Sequence, residues 1–454
     1  MSLQLPDTVT GETITAEWLN AKLGINTIEH ISLQNGGDNH GFTDAVYRIH
    51  LTHRQDDNNP ARSAAVQPAT LIMKVIDSSP GNRAVFKPLH EREVLFYNEI
   101  APVLDLASVP KCYYAHFDEE AGKGTILLED AGKPTHKGGL QKDGFETLTA
   151  SQAVLAMTEL GRFHGRSIAL SSKLPRDLSR PLDRSIEEIR AAFPSFKKTW
   201  TPLLGEEVIG RYERALEAYE KVWLVQKDTF VQGLVHGDYR LGNIIFSAED
   251  GQRDNVPDRD GDDLDNAHAF ESGVKTSVAR GYQEATTSNG DSQPGTVAKS
   301  PKGLVTPGIP TTSNDTTING NASPNNHPNT PTKLFTFKHV DWQTVSRGPV
   351  LFDVAYLLSM SITTETRRGC EFDLVHAWYT ACREAAGAGN DQFFLSADLN
   401  ISPCVREISA ACVAVVLVSV TTMNNFRAPE VPMRAVAGKL RTVSEMLVDW
   451  RSFE

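Results

Sequence analysis

The chain lacks an excess of basic charge. Its 45 Lys and Arg are outnumbered by 57 Asp and Glu, a formal net charge of −12. That balance argues against a nucleic-acid binder that works by neutralising phosphates. Cysteine is scarce: Cys112, Cys370, Cys382, Cys404 and Cys412 are odd in number and never spaced C-x-x-C. They read as reduced thiols rather than a disulfide framework. The N-terminal MSLQLPDTVTGETITAEWL has no basic stretch leading into an apolar one, so no signal peptide is expected. Long apolar runs are also missing. Ile408 to Val420 reads as too short and too rich in Ala and Ser to span a bilayer, and is expected to be a buried helix. These lacks predict a cytoplasmic protein with neither nucleic acid nor membrane as partner.

Length is what the chain does have. At 454 residues it exceeds what one hydrophobic core usually serves. The pattern is strand-rich to about Asp130 and helix-rich afterwards. Ser151 to Leu170 sets Val154, Met157, Leu160, Gly161, His164 and Ile168 on one helical face. The expected fold class is therefore α+β, with a small strand-rich lobe over 1–130 and a larger helical lobe over 131–454. An insertion at about 250–332 interrupts the second. It is rich in Asp, Ser, Thr, Asn, Gly and Pro, has almost no large apolar residues, and reads as disordered. Apolar strands flank it, Ile244 to Phe246 before and Phe335 to Val340 after, so it expands the turn of a hairpin. Lengthening a ten-residue turn to about ninety costs roughly 2 kcal/mol, which a domain can absorb.

The strongest motif is LVHGDYRLGNIIF, Leu234 to Phe246, with His236, Asp238 and Asn243 spaced H-x-D-x-x-x-x-N between two apolar stretches. In phosphoryl transfer such a loop offers its Asp to the acceptor hydroxyl's proton and its Asn to Mg²⁺. Asp341 ends the strand of HVDWQ, one hairpin later, where its carboxylate can share that Mg²⁺. Asp353, before Val354, Leu357 and Leu358, reads as a helix N-cap. Lys74 lies between Ile72 and Ile76 on one strand face, an ammonium in apolar company. At 100° per residue Glu93 falls at the centre of the helical face made by Phe96, Tyr97, Ile100 and Leu104. A carboxylate there is costly unless paired, so Glu93 is the expected partner of Lys74. The turn Gly36-Gly37-Asp38-Asn39-His40-Gly41 would let backbone amides approach phosphate oxygens. Leu127 to Asp130, with Glu129, ends the small lobe where a nucleotide hinge should lie.

Taken in order, glycine turn, Lys74, Glu93, hinge, catalytic loop and Asp341 resemble the aminoglycoside phosphotransferase, choline kinase and ecdysteroid-kinase-like group. HGDYRLGN is similar to the aminoglycoside phosphotransferase loop. The pieces DWQ, D-x-A-Y-L-L and E-V-L-F-Y-N-E-I-A-P are closer to the other two, although ecdysteroid-kinase-like enzymes often carry Trp where this chain has Arg240. The resemblance implies a protein-kinase-like fold using ATP and Mg²⁺. In it His236 braces the loop, Lys74 touches the α- and β-phosphates, and the substrate lies against the helical lobe. Trp342-Gln343 stands where a protein kinase has Phe-Gly, and no A-P-E element follows, so the expected acceptor is a small hydroxylated molecule rather than a protein. Two other classes compete. A metallophosphoesterase would need further His and Asp clusters, which the sequence does not supply. A catalytically silent kinase-like binding protein fits the irregular glycine turn, but Lys74, Asp238, Asn243 and Asp341 are all present.

Overall fold

A computed structural model describes residues 14–35, 44–54, 67–77, 83–132, 134, 140–141, 144–178, 185–248, 335–387, 402–425 and 433–452. The glycine turn 36–41 and the insertion 250–332 lie outside the described residues, as does the disorder expected of the latter.

Strands rich in β-branched and aromatic residues build the N-terminal part. β1 (Ile28–Asn35), β2 (Asp44–His53), β3 (Thr70–Asp77), β4 (Cys112–Asp118) and β5 (Lys123–Glu129) form an antiparallel sheet in the order β1-β2-β3-β5-β4. Alternation gives its two faces different work. Leu71, Met73 and Leu127 pack with Ile28, Ile49 and Leu51 beneath α1 (Ala16–Leu23), whose N-cap Thr15 accepts from the Trp18 amide. Ile76, Ile126 and Leu128 join the main core from the other face, the one that carries Lys74. The helix α2 (Arg83–Leu95) crosses behind it, passing through a π turn (Phe96–Ile100) into a last turn (Ala101–Leu104). Pro102 explains the π turn. It has no N–H to give the carbonyl four residues back, and the Ala101 amide reaches five back to Phe96 instead.

The C-terminal part is helical. α3 (Ala150–Ala169) begins with a reciprocal Thr149–Gln152 cap, and α4 (Ile186–Leu204) with the same device from Ser185 and Glu188. α5 (Glu206–Ala218), α6 (Leu351–Met360), α7 (Thr364–Ala386), α8 (Ser402–Asn425) and α9 (Met433–Asp449) complete the body. Five of the six positions expected on the buried face of α3 are buried, but Val154 is 41% exposed. Ala153 and Ala156 on either side of it are fully buried, so Val154 sits at the edge of the buried face. α3 and α7 approach so closely that a Cβ at Gly161 or Gly165 would meet backbone oxygens of Trp378 and Cys382 at 2.4 and 2.2 Å. The expectation that the Ile408 region is too short to span a membrane is corrected. Once flanking turns are counted, Cys404–Met423 is long and apolar enough by composition. Its inward side, including Ile408, Leu417 and Val420, is nevertheless buried in the protein, so it packs as a core helix.

Short strands frame the centre. β6 (Gln232–Val235) pairs with β9 (Ser346–Pro349), and β7 (Ile244–Ala248) with β8 (Phe335–His339), with Phe337 opposite Phe246. The hairpin expected around the insertion is thus formed, and the chain on either side of it belongs to one compact unit.

Candidate active site

The loop between β6 and β7 is held from every side. His236 is fully buried. Its Nε2 faces the Val340 carbonyl at 3.0 Å and so carries the hydrogen, while Nδ1 accepts from the Asp238 amide at 3.4 Å. Both ring nitrogens are spent on backbone, which makes His236 a positioning residue. Thr344 Oγ1 donates to the His236 carbonyl at 2.6 Å, Leu241 N donates to Ser361 Oγ at 2.8 Å, and Tyr239 donates to the Ala156 carbonyl at 3.1 Å.

Asp353 is not the N-cap expected of it. α6 starts at Leu351 with Val350 in the cap position. Asp353 sits inside the first turn, fully buried, and its carboxylate accepts the His236 and Gly237 amides at 2.6 and 2.9 Å. It also faces His164 Nε2 at 3.2 Å, and Trp378 Nε1 donates to His164 Nδ1 at 2.9 Å. Because Nδ1 accepts, Nε2 carries the hydrogen and donates to Asp353. Burial holds the imidazole's pKa below its usual value, against the pull of Asp353. A Trp–His–Asp chain drawn from three helices therefore ends on the loop's backbone, and the close α3–α7 contact makes it possible. The sequence did carry a signal for Asp353: a carboxylate inside the apolar run Val350 to Leu358 needs a partner, the same reasoning that singled out Glu93.

Asp238 is partly exposed. Arg240 Nε reaches its two oxygens at 3.1 and 3.2 Å, and Asn243 Nδ2 reaches Oδ2 at 2.9 Å and the Asp238 carbonyl at 2.8 Å. The Val340 amide donates to the Asn243 carbonyl at 3.0 Å, which brings Asp341 alongside. Asp341 has φ 67°, a left-handed conformation uncommon outside glycine and often associated with functional sites. Its Oδ1 accepts from Lys74 at 3.1 Å and its Oδ2 from Gln343 at 3.2 Å. Burial pushes the Asp341 carboxyl up, but the charge and hydrogen bond of Lys74 together with the neighbouring His236 and Arg240 outweigh it, and the net shift is downward. Lys74 also donates to Glu93 at 2.6 Å, and Glu93 is 1% exposed. Trp342, fully buried, stacks on Phe96 with centroids 3.9 Å apart and ties the end of α2 to the strand end at Asp341. The structure thus brings together Lys74, Glu93, His236, Asp238, Asn243 and Asp341. It places Glu129 apart from them: its carboxylate is committed to Lys338 Nζ at 2.8 Å and the Lys111 amide at 3.0 Å. Gly36, Gly37 and Gly41 fall outside the described residues.

The donors present fit Mg²⁺. With its amide nitrogen turned to Asp238, Asn243 has its oxygen left to offer, beside the Asp341 carboxylate. A hard, all-oxygen set of this kind suits Mg²⁺ shared with phosphate oxygens. Among the described residues no group of three or more His, Cys, Asp or Glu is placed to hold a metal by itself.

The antiparallel sheet carrying a lysine–glutamate pair, followed by a helical part holding the H-x-D-x-x-x-x-N loop, makes a two-lobed, protein-kinase-like fold. Within that class the chain resembles the ecdysteroid kinase-like family, which matches residues 37–257. The match takes in Lys74, Glu93, Glu129, His236, Asp238 and Asn243 and stops before Asp341. Similar solved structures include a protein from Ralstonia eutropha JMP134 assigned as an aminoglycoside phosphotransferase, 13% identical with a TM-score of 0.44 over 96% of each chain. A microcompartment-associated aminopropanol kinase is 12% identical, TM-score 0.43, over 96% of this chain and 99% of that one. The GDP complex of an aminoglycoside 2'-phosphotransferase-IIIa mutant is 11% identical, TM-score 0.40, over 95% of each. No curated protein matches the chain.

Proposed function

We propose that the chain is an ATP-dependent kinase of a small hydroxylated molecule, with 1–130 as its nucleotide lobe and 131–454 as its catalytic and substrate lobe. Asp238 is the base. It takes the acceptor hydroxyl's proton as the acceptor oxygen bonds to the γ-phosphorus and the bond to the β-phosphate oxygen breaks, releasing ADP. Asn243 and Asp341 would hold Mg²⁺, which when bound would neutralise charge on the phosphates. Lys74, fixed by Glu93, serves the α- and β-phosphates, and His236 with Asp353 keeps the loop in register. Any part of the Glu129 segment in holding the nucleotide falls to backbone, its carboxylate being engaged elsewhere.

One observation carries this reading. Lys74 Nζ joins Glu93 and Asp341, residues far apart in sequence, at 2.6 and 3.1 Å, and the backbone bond from Val340 to Asn243 ties Asp341 to the Asp238–Asn243 pair. A purely structural lysine has no need of a second carboxylate next to an H-x-D-x-x-x-x-N loop. The family's name points to a hydroxyl-bearing small molecule as acceptor. The test is ADP release from ATP·Mg²⁺ across amino alcohols, sugars, sterols and aminoglycosides. Acceptor-dependent ADP release supports an enzyme. Nucleotide binding with no ADP release from any of them would make the chain a silent binding protein.

A further inference from the structure

The phosphotransfer scheme has no task for Arg240, yet its guanidinium is hydrogen-bonded to the base. Nε alone makes that contact, at 3.1 and 3.2 Å to the two Asp238 oxygens. Among the described residues Nη1 and Nη2 have no protein hydrogen-bond partner, and 38% of the side chain is exposed. A guanidinium offers its donors in a fixed planar fork, so the unspent edge is a ready bidentate receiver for an oxyanion. The loop makes room for it. A Cβ at Gly242 would stand 2.5 Å from Nη1, so the guanidinium lies folded over the glycine. Asp238 does most to keep the group charged, with Tyr356 and Asp341 adding to it.

An acceptor hydroxyl must arrive beside Asp238, and therefore beside this charge. A cationic acceptor meets like charge there. One bearing a carboxylate or phosphate gains a charge-assisted, two-pronged contact that also turns its hydroxyl toward the base. Given the phosphotransfer reading above, on which this depends, we propose that Arg240 is the specificity residue of the acceptor side and selects hydroxylated acceptors that carry an anionic oxygen group near the hydroxyl.

The experiment uses acceptors matched in skeleton and differing in charge: glycerol, glycerate, glycerol 3-phosphate and 3-amino-1,2-propanediol, with glucose, glucuronate, glucose 6-phosphate and glucosamine. Coupled ADP release gives kcat/KM for each with the wild-type chain, Arg240→Gln and Gly242→Ala. The second variant leaves the arginine in place but pushes its flexible end off the loop. The wild type should favour an anionic member by about tenfold or more over its neutral and amine counterparts. The carboxylate and phosphate arms tell which anion is meant. Arg240→Gln should erase the preference and Gly242→Ala should reduce it, with the KM for ATP unchanged in both. Preference for neutral or amine members, an unchanged preference in Arg240→Gln, or a loss confined to the KM for ATP would each overturn the proposal. The last would assign the free edge to the nucleotide's own phosphate. Calorimetry separates the two levels. A wild-type chain that binds ATP·Mg²⁺ and turns over neutral or amine members but no anionic one removes only the role of Arg240, whereas one that does not bind ATP·Mg²⁺, or turns over no acceptor at all, removes the kinase reading itself.

Discussion

Lys74 serves two carboxylates at once, and the two differ in what surrounds them. Glu93 is almost completely buried, so its charge relies on the ammonium, whereas the Asp341 side chain is 26% exposed. A double-mutant cycle with Lys74→Met and Glu93→Gln, followed by chemical denaturation, should give a coupling energy of about 0.5–3 kcal/mol. Strictly additive losses would mean that the contact contributes nothing to folding. Glu93 was legible from sequence because its helical phase made a buried charge unavoidable. Asp353 left the same kind of signal but was read as a cap, and His164 gave none, an ordinary core residue until Trp378, 214 positions later, was set against it. Glu407 is a partly buried carboxyl. Its pKa is pushed by burial to about 7 from an ordinary 4.5, although it accepts the Val231 amide at 3.3 Å. The folded chain then holds this proton more tightly than the unfolded chain. The associated stability is complete below about pH 4.5 and is lost as pH rises to about 7, a change of roughly 3 kcal/mol. The stability difference between wild type and Glu407→Gln should therefore move against the wild type across that window. A pH-independent difference would mean that Glu407 titrates normally.

Pairs of elements set the loop's position more than any one residue does. The α3–α7 seam is the clearest case, because Gly161 and Gly165 let the helix backbones touch and so deliver Trp378 to His164. Gly165→Ala would drive a methyl group into the Cys382 carbonyl, and unfolding free energy should fall by about 1–3 kcal/mol or more. Unchanged stability would show that the helices part freely and that the seam does not fix the loop. The strand of Lys74, the β7–β8 hairpin and the α3 bounds, to within a residue, followed from periodicity. Two features did not. The π turn after Glu93 depends on Pro102 acting against the helical hydrogen-bond ladder, and the left-handed Asp341 depends on where β8 delivers the chain. Neither leaves a periodic trace in the sequence.

At the level of the whole chain, the insertion divides one compact body without unpairing its hairpin, since Phe335–His339 lie in register against Ile244–Ala248. Replacing 253–331 with a short Gly-Ser linker should leave melting temperature and turnover near wild type. An insoluble or inactive product would mean that the segment packs on the body. The order of motifs in the sequence was enough to foresee a strand-rich part, a helical part and a site between them. Arg240's place beside Asp238 was not foreseeable, because it turns on the room left at Gly242. The phosphotransfer reading meets its most direct test in Asp238→Asn, compared with wild type for acceptor-dependent ADP release and, separately, for ATP·Mg²⁺ affinity by calorimetry. If Asp238 accepts the hydroxyl's proton, turnover should fall by about 10²–10⁴-fold while ATP affinity stays the same. Near-wild-type turnover in that variant, or a loss explained wholly by weaker ATP binding, would contradict it.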